Sequence, residues 1–285
     1  MYPEMAQSIL DAGFARLVLS PAHAETLLEL RRAATDFFSR DEGDKVSFGG
    51  ADVNFGYRPY GRQYSITPDR PDMNESFAFW GRDAARLPRG NDIPDLVRTL
   101  RRYRETMACI AGELLAQFAA RFAYGDGADL GFEHASCVEI NWYTRAETRE
   151  LLQERHEDGH LFTVVTADGP GLEIEVAGQT RPVRFSDAEL LIMPGSLLTH
   201  MSAGAIRPLY HQVRNHRLPH RMSVLYLANP ALDRRIRPYV EADENRGVDI
   251  AELARTNGTL FGLPPAPVID RRGQDDLSDA ASKGR

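Results

Sequence analysis

Residues 155–160 read RHEDGH, and what these letters can do depends on the backbone that carries them. In a helix, positions four apart share a face, so His156 and His160 would grip a zinc ion with Glu157 as general base, the H-E-x-x-H arrangement of metalloproteases. In a strand, positions two apart share a face, so His156 and Asp158 would point together. That pair is two-thirds of a 2-His-1-carboxylate triad, which holds non-haem Fe(II) and leaves coordination positions open. The preceding RAETRELLQER is a good helix former, which favours the protease. Against it, Gly159 weakens a helix by roughly 1 kcal/mol, and the following LFTVVTADGPG is β-branched and ends in turn residues. The extended motif would also need Gly at 163 and His at 166, where Thr163 and Thr166 stand. The strand reading is therefore preferred. With 8 histidines and 41 acidic residues in the chain, an H-x-[DE] triplet arises about once by chance, so its weight must come from companion residues.

A second imidazole must come from a distant strand. The downstream candidates are His200, His211, His216 and His220, of which His211 in LYHQVRNH is the best placed. Ten residues on, Arg221 and Ser223 in RMSVLYL share one side of a strand. A guanidinium turned inward is costly without an anion, but it forms a two-pronged fork for a carboxylate, to which a serine hydroxyl adds a hydrogen bond. Upstream, Asn141 and Tyr143 flank an opposite-facing Trp142 and add polar groups to the same ligand.

These residues need elements to position them. Ser20-Pro21 starts a helix over roughly 21 to 39, with Leu27, Leu30, Ala34, Phe37 and Phe38 at helical spacing. Residues 41 to 88 are rich in Gly, Pro, Asp and Arg and read as loops and short strands. A long helix opens near Asp92-Ile93-Pro94 and carries Leu96, Leu100, Tyr103, Met107, Ile110, Leu114, Phe118 and Phe122 as a core stripe. After Gly125 the period changes. CVEINWYT, LFTVVTA, GLEIEV, RPVRF, ELLIMP and RMSVLYLA are short strands separated by DGPG, AGQT, SDA and PGS, the pattern of an antiparallel sandwich or barrel. Asp249 to Thr256 reads as a last helix, and RRGQDDLSDAASKGR as a polar, disordered tail. A formal charge of −7 argues against a general nucleic-acid surface. No membrane span or signal peptide is legible. Cys109 and Cys137 read as free thiols, and a cytoplasmic protein without an obligate protein partner is expected.

Taken together, these segments resemble the isopenicillin N synthase-like 2-oxoglutarate/Fe(II)-dependent dioxygenases. The likeness covers most of the chain: DAGFARLVLS, FFSR with DEGDK, NFGYRP and DMNESFAFW, then NWY, HEDGHLFTVV, DGPGLEIEV, PGSLLTHMSAGAIRPLYHQV and RMSVLYLANP, in order and at family-like spacing. Glu157 stands where many relatives carry threonine. The resemblance implies a mainly β protein with flanking helices and a double-stranded β-helix (jelly roll) core. Residues 1–130 would be the N-terminal helical and loop region, 131–265 the core and 266–285 the tail, the whole forming one structural unit. It assigns iron to His156, Asp158 and His211, and the 2-oxoglutarate C5 carboxylate to Arg221 and Ser223, with Asn141 and Tyr143 near that cosubstrate. Dioxygen would be the oxidant and ascorbate a stimulant. The substrate would be a small molecule of specialised metabolism, amino-acid-like or a natural-product scaffold, undergoing hydroxylation, desaturation, epoxidation or cyclisation. Its contacts are expected from Arg58, Tyr60 and Arg62, within a lid formed by residues 54–65 and 73–80, and from Phe162 and Glu173. Because some members use the Arg-x-Ser pair for a substrate carboxylate, an iron oxidase needing no 2-oxoglutarate is the alternative. A non-catalytic metal-binding jelly roll is a further one.

Overall fold

A computed structural model describes residues 1–49, 55–66, 69–80, 87, 89–124, 130, 132–144, 148–230 and 238–241. The expected helix at Asp249 to Thr256, the tail and Asn54 of the expected lid lie outside these residues. The elements run α1 (Tyr2–Ala12), β1 (Ala15–Val18), α2 (Pro21–Phe38), α3 (Glu42–Val46), β2 (Gly56–Arg58), β3 (Glu75–Trp80), α4 (Pro94–Arg121), α5 (Phe132–Ala135) and β4 (Cys137–Thr144). They continue as β5 (Leu151–His156), β6 (Phe162–Ala167), β7 (Leu172–Val176), β8 (Gln179–Pro182), β9 (Glu189–Pro194), α6 (Ser196–Met201), β10 (His211–Arg214) and β11 (His220–Ala228).

The hydroxyl of Ser20 accepts from the His23 amide and caps α2, with Pro21 at the first helical position, as the sequence predicts. The second expected helix is α4, a single 28-residue span. Helix α1 is not announced by the sequence pattern. Its buried apolar residues Met5, Ala6 and Ile9 are too few to show a helical period, and packing against α4 makes up for that.

Two antiparallel sheets face each other. One has the order β1-β9-β6-β11-β4-β3-β2 and the other β5-β10-β7-β8. The eight strands β4 to β11, four from each sheet, form the double-stranded β-helix, and β1 to β3 extend the larger sheet at its edges. The central strands β4, β6, β9 and β11 of the larger sheet are buried on both faces over most of their length. On one side Ile140, Phe162, Val164, Ile192, Val224 and Tyr226 pack against Leu30, Phe37, Leu100, Tyr103, Met107 and Phe118 of α2 and α4. Each such side chain contributes roughly 1.5–3 kcal/mol on burial. On the other, Val165, Leu191 and Met193 meet Leu172 and Ile174 of the smaller sheet, and beside this seam the space between the sheets stays open. None of the described helices is long and apolar enough to cross a membrane.

Candidate active site

Strand β5 ends at His156, which is paired directly across the ladder with His211 at the start of β10. The two rings lie 4.3 Å apart, centroid to centroid. Asp158 follows the strand rather than belonging to it, so the backbone after His156, and not the strand pleat, brings its carboxylate back to the imidazoles. No helix runs through 156–160, which removes the zinc-protease reading. The loop is pinned from behind: the amide of Ser196 donates to the Asp158 carbonyl at 2.9 Å and that of Gly195 to the Leu161 carbonyl at 3.0 Å. A Cβ at Gly195 would meet the His160 carbonyl oxygen at 2.2 Å, so only glycine fits there.

Neighbouring groups then orient all three side chains. Nδ1 of His156 lies 2.7 Å from the Glu154 carbonyl, and Nδ1 of His211 lies 3.1 Å from that of Leu209. A carbonyl only accepts, so both Nδ1 atoms carry the proton and both Nε2 atoms are left to face a metal, that of His156 lying 3.5 Å from the Gln153 side-chain nitrogen. Thr163 donates to Oδ2 of Asp158, leaving Oδ1 at 3.6 Å and 3.7 Å from the two Nε2 atoms. Two nitrogens and one carboxylate oxygen, each within 4.8 Å of the others and all from buried residues, form this cluster. Two imidazoles and one carboxylate fit Fe(II) by donor chemistry.

The electrostatics of the metal-free cluster agree. Burial alone would raise the Asp158 carboxyl, but the imidazoles of His211 and His156 outweigh it and hold it far below the usual carboxylate range. Burial, reinforced by the charge on His156, pushes His211 down to about 4. For His156 burial is outweighed by the hydrogen bond and charge of Asp158, and its pKa is raised. Asp158 is thus ionised and His211 neutral, while below its raised pKa His156 holds the one positive charge that a cation would replace.

The far end of the same cavity is basic. Strand β11 pairs with β4 so that Arg221 faces Tyr143 and Ser223 faces Asn141. Nη1 of Arg221 donates to Ser223 Oγ at 2.6 Å and Nε to the Pro170 carbonyl at 3.0 Å, and the guanidinium lies 5.1 Å from the Tyr143 ring centroid. Among the described residues no carboxylate lies within ion-pair distance of it. Asp168, the acid that acts on it electrostatically, accepts the Met222 amide at 2.7 Å. Burial lowers the pKa of Arg221 and pushes the Tyr143 phenol up to about 12. A buried cation left in this state is a seat for an anion, and a carboxylate fits the Arg221–Ser223 pair.

Between the two ends lies a cavity open to the surface. Asn141, Tyr143, His156, Asp158, His211, Arg221 and Ser223 all line it. The other three candidate histidines, His200, His216 and His220, are exposed. The expected substrate contacts fare differently. Arg58 is buried but engaged, 3.0 Å from Glu139 and 3.3 Å from the Gln63 side-chain oxygen. Tyr60 is half-buried and Arg62 exposed, and neither lines the cavity, whereas Gln63, Tyr64 and Ser65 do. Phe162 packs in the core on the helix side, because the pleat that turns Thr163 and Val165 inward turns Phe162 outward. Glu173 also faces away, accepting from Gln212 at 2.7 Å and Arg214 at 2.6 Å while its neighbours Leu172 and Ile174 point between the sheets.

Sequence reasoning missed Thr163, Glu139 and Gln63. Two of these had a signal. Glu139 stands two residues before Asn141 and four before Tyr143, on the same face of β4, and Thr163 is in phase with Val165 on β6. Gln63 had none, since it lies in irregular chain.

No protein-family model matches the chain. Gibberellin 3-beta-dioxygenase 1 of Oryza sativa subsp. japonica is 23% identical over 265 residues, which is 84% of this chain and 67% of that protein. A full-length Neurospora crassa protein, solved in complex with alpha-KG, has a TM-score of 0.73 at 18% identity, with 90% of each chain covered. JOX2, solved in complex with 2OG, Fe and JA, has a TM-score of 0.71 at 16% identity, covering 85% of this chain and 74% of that one. A buried site of two histidines and one carboxylate inside a double-stranded β-helix defines the non-haem Fe(II) oxygenase class. With the sequence match, it makes the chain similar to 2-oxoglutarate/Fe(II)-dependent dioxygenases in fold and in the donor set of the site.

Proposed function

We propose that the protein oxidises a small organic molecule, with Fe(II) held by His156, Asp158 and His211 and the C5 carboxylate of 2-oxoglutarate held by Arg221 and Ser223. The observation that carries this reading is Arg221, a buried guanidinium without a carboxylate partner among the described residues, at the other end of the cavity from three converging metal donors. When bound, the iron and the 2-oxo acid supply dioxygen activation coupled to release of succinate and CO2. The residues around them do the rest. The Glu154 and Leu209 carbonyls and the Thr163 hydroxyl keep the three donors aimed at one point. Asn141, anchored by a 2.9 Å hydrogen bond from Asn74, and Tyr143 flank the path from the iron to Arg221. Val165, Leu172, Met193, Leu225 and Leu227 line the remainder and exclude water.

Relatives and neighbours whose names include a gibberellin dioxygenase, and whose solved complexes hold JA or thymine, support a small-molecule substrate. We assign that substrate to specialised metabolism and the outcome to hydroxylation, desaturation, epoxidation or cyclisation. The test is to incubate the protein with Fe(II), 2-oxoglutarate, ascorbate and a metabolite library under air, following products and succinate by mass spectrometry. Succinate formed in step with an oxidised product is expected. Substrate turnover that needs no 2-oxoglutarate would overturn the assignment of Arg221.

A further inference from the structure

Residues 168–171, DGPG, read in the sequence only as a break between strands, and they separate β6 from β7. In the structure this turn wraps the guanidinium that faces the cavity. Nε of Arg221 donates to the Pro170 carbonyl at 3.0 Å, and a Cβ at Gly171 would stand 3.3 Å from that same Nε and 2.9 Å from the Arg214 carbonyl oxygen. With its φ at +135° as well, Gly171 admits no other residue unless the turn or the arginine moves. A Cβ at Gly169 would come within 3.7 Å of Cγ of Arg221, so the turn follows the stem of this side chain as well as its head.

The turn is itself held from both sheets. On the larger one, the amide of Asp168 donates to the Met222 carbonyl at 3.1 Å, and Oδ1 of Asp168 accepts the Met222 amide at 2.7 Å, next in the chain to Arg221. On the smaller one, the amide of Arg214 donates to the Gly171 carbonyl at 2.8 Å. Arg214 is the last residue of β10, and His211 is the first. The turn therefore bridges the strand that carries the anion seat to a strand that carries a metal donor, and the span from metal to guanidinium is set through it. It also limits how an anion is met. A side-on fork uses Nε together with a terminal nitrogen, and here Nε is taken, so a carboxylate is left the end-on edge beside Ser223.

We propose that the turn at residues 168–171 is a positioning element that holds Arg221 at one depth and one angle, and so makes the site selective for the chain length of the 2-oxo dicarboxylic acid it takes. A fixed fork meets a carboxylate at one distance from the metal, whereas a loose one follows a longer or shorter chain. This rests on the function proposed above, and two measurements separate the two ideas. The first is the 15N-arginine NMR spectrum of the metal-free protein, with the Arg221 Nε–H signal identified by its loss in Arg221→Lys. That hydrogen is expected to be protected from exchange with water in the unaltered protein and to lose protection in Asp168→Ala; rapid exchange in the unaltered protein overturns the proposal whichever anion binds. The second is calorimetry on the Zn(II)-loaded protein with 2-oxoglutarate, with oxaloacetate, one methylene shorter, and with 2-oxoadipate, one methylene longer. 2-Oxoglutarate is expected to bind at least about tenfold more tightly than either. Asp168→Ala, at an exposed position, and Gly171→Ala are each expected to narrow that preference to about threefold or less, with Zn(II) content unchanged. Asp168→Asn, which keeps an acceptor for the Met222 amide and drops only the charge, is expected to retain it. Equal affinity for the three acids, or a preference that survives both alanine variants, sinks the proposal. So does a preference lost to the same extent in Asp168→Asn, since charge rather than position would then be acting. Binding of none of the three acids by the Zn(II)-loaded protein overturns the cosubstrate reading itself, and the proposal with it.

Discussion

The two faces of the larger sheet are built from the same strands and are equally buried, yet only one of them holds chemistry. Toward the helices, β4, β6 and β11 present Val138, Ile140, Phe162, Val164, Val224 and Tyr226, which fill space. Toward the smaller sheet the alternate residues are Glu139, Asn141, Tyr143, Thr163, Arg221 and Ser223, buried polar groups that bind one another or face the cavity. Burying so many polar groups is tolerated only where each has a partner or a ligand to come. The difference teaches that in this fold polarity at a buried strand position, rather than burial itself, marks the functional face.

The sharpest way to break that comparison is to remove a metal donor. Asp158→Ala should lower iron affinity by more than about 100-fold, beyond the 10–100-fold cost of losing a supporting partner, and abolish 2-oxoglutarate-dependent turnover. Metal analysis after desalting reads this directly, and an unchanged iron content would refute the ligand assignment. On the opposite face, Phe162→Ala should cost about 3–5 kcal/mol of stability through the cavity it leaves, seen in denaturant unfolding, with iron stoichiometry preserved in the folded fraction. A substrate role for Phe162 would instead show as a KM change at unaltered stability. Next in size, Arg221→Gln should raise the KM for 2-oxoglutarate by roughly 30- to 100-fold, the equivalent of about 2–3 kcal/mol for a charged hydrogen-bonded pair.

The smallest effect is that of pH. Because Asp158 is already ionised and His211 already neutral in the metal-free site, the proton that iron must displace is the one on His156, whose pKa is raised. Iron affinity should therefore fall by about tenfold for each pH unit below the His156 pKa and level off above it. Calorimetry in buffers of different ionisation enthalpy should count one proton released per iron in that window, and release of two would mean that His211 is charged as well.

Much of this was legible in the chain itself. Helices α2 and α4 followed from a capping serine, a proline and a three-four apolar period. The strands followed from β-branched runs between turn residues, and the pair Arg221 and Ser223 from a polar period of two in an otherwise apolar strand. Local rules of this kind need only neighbours in sequence. They misplaced Phe162 and Glu173, because a period of two says which residues lie together but not which side is inward. They also explained Asp158 by the strand pleat, when the chain leaves the strand at His156 and turns.

The sequence alone determined which side chains alternate, where helices begin, and that an imidazole, a carboxylate and a buried guanidinium were available. Tertiary structure alone decided that His211 pairs across the ladder with His156, that the Asn229 side chain meets Nδ1 of His160, and that Arg58 is taken up by Glu139. These are contacts between residues 55 to 81 positions apart. Propensity and periodicity act over a few residues, whereas such pairings depend on the register of whole strands, and register is settled only when both faces of the sheet find their partners.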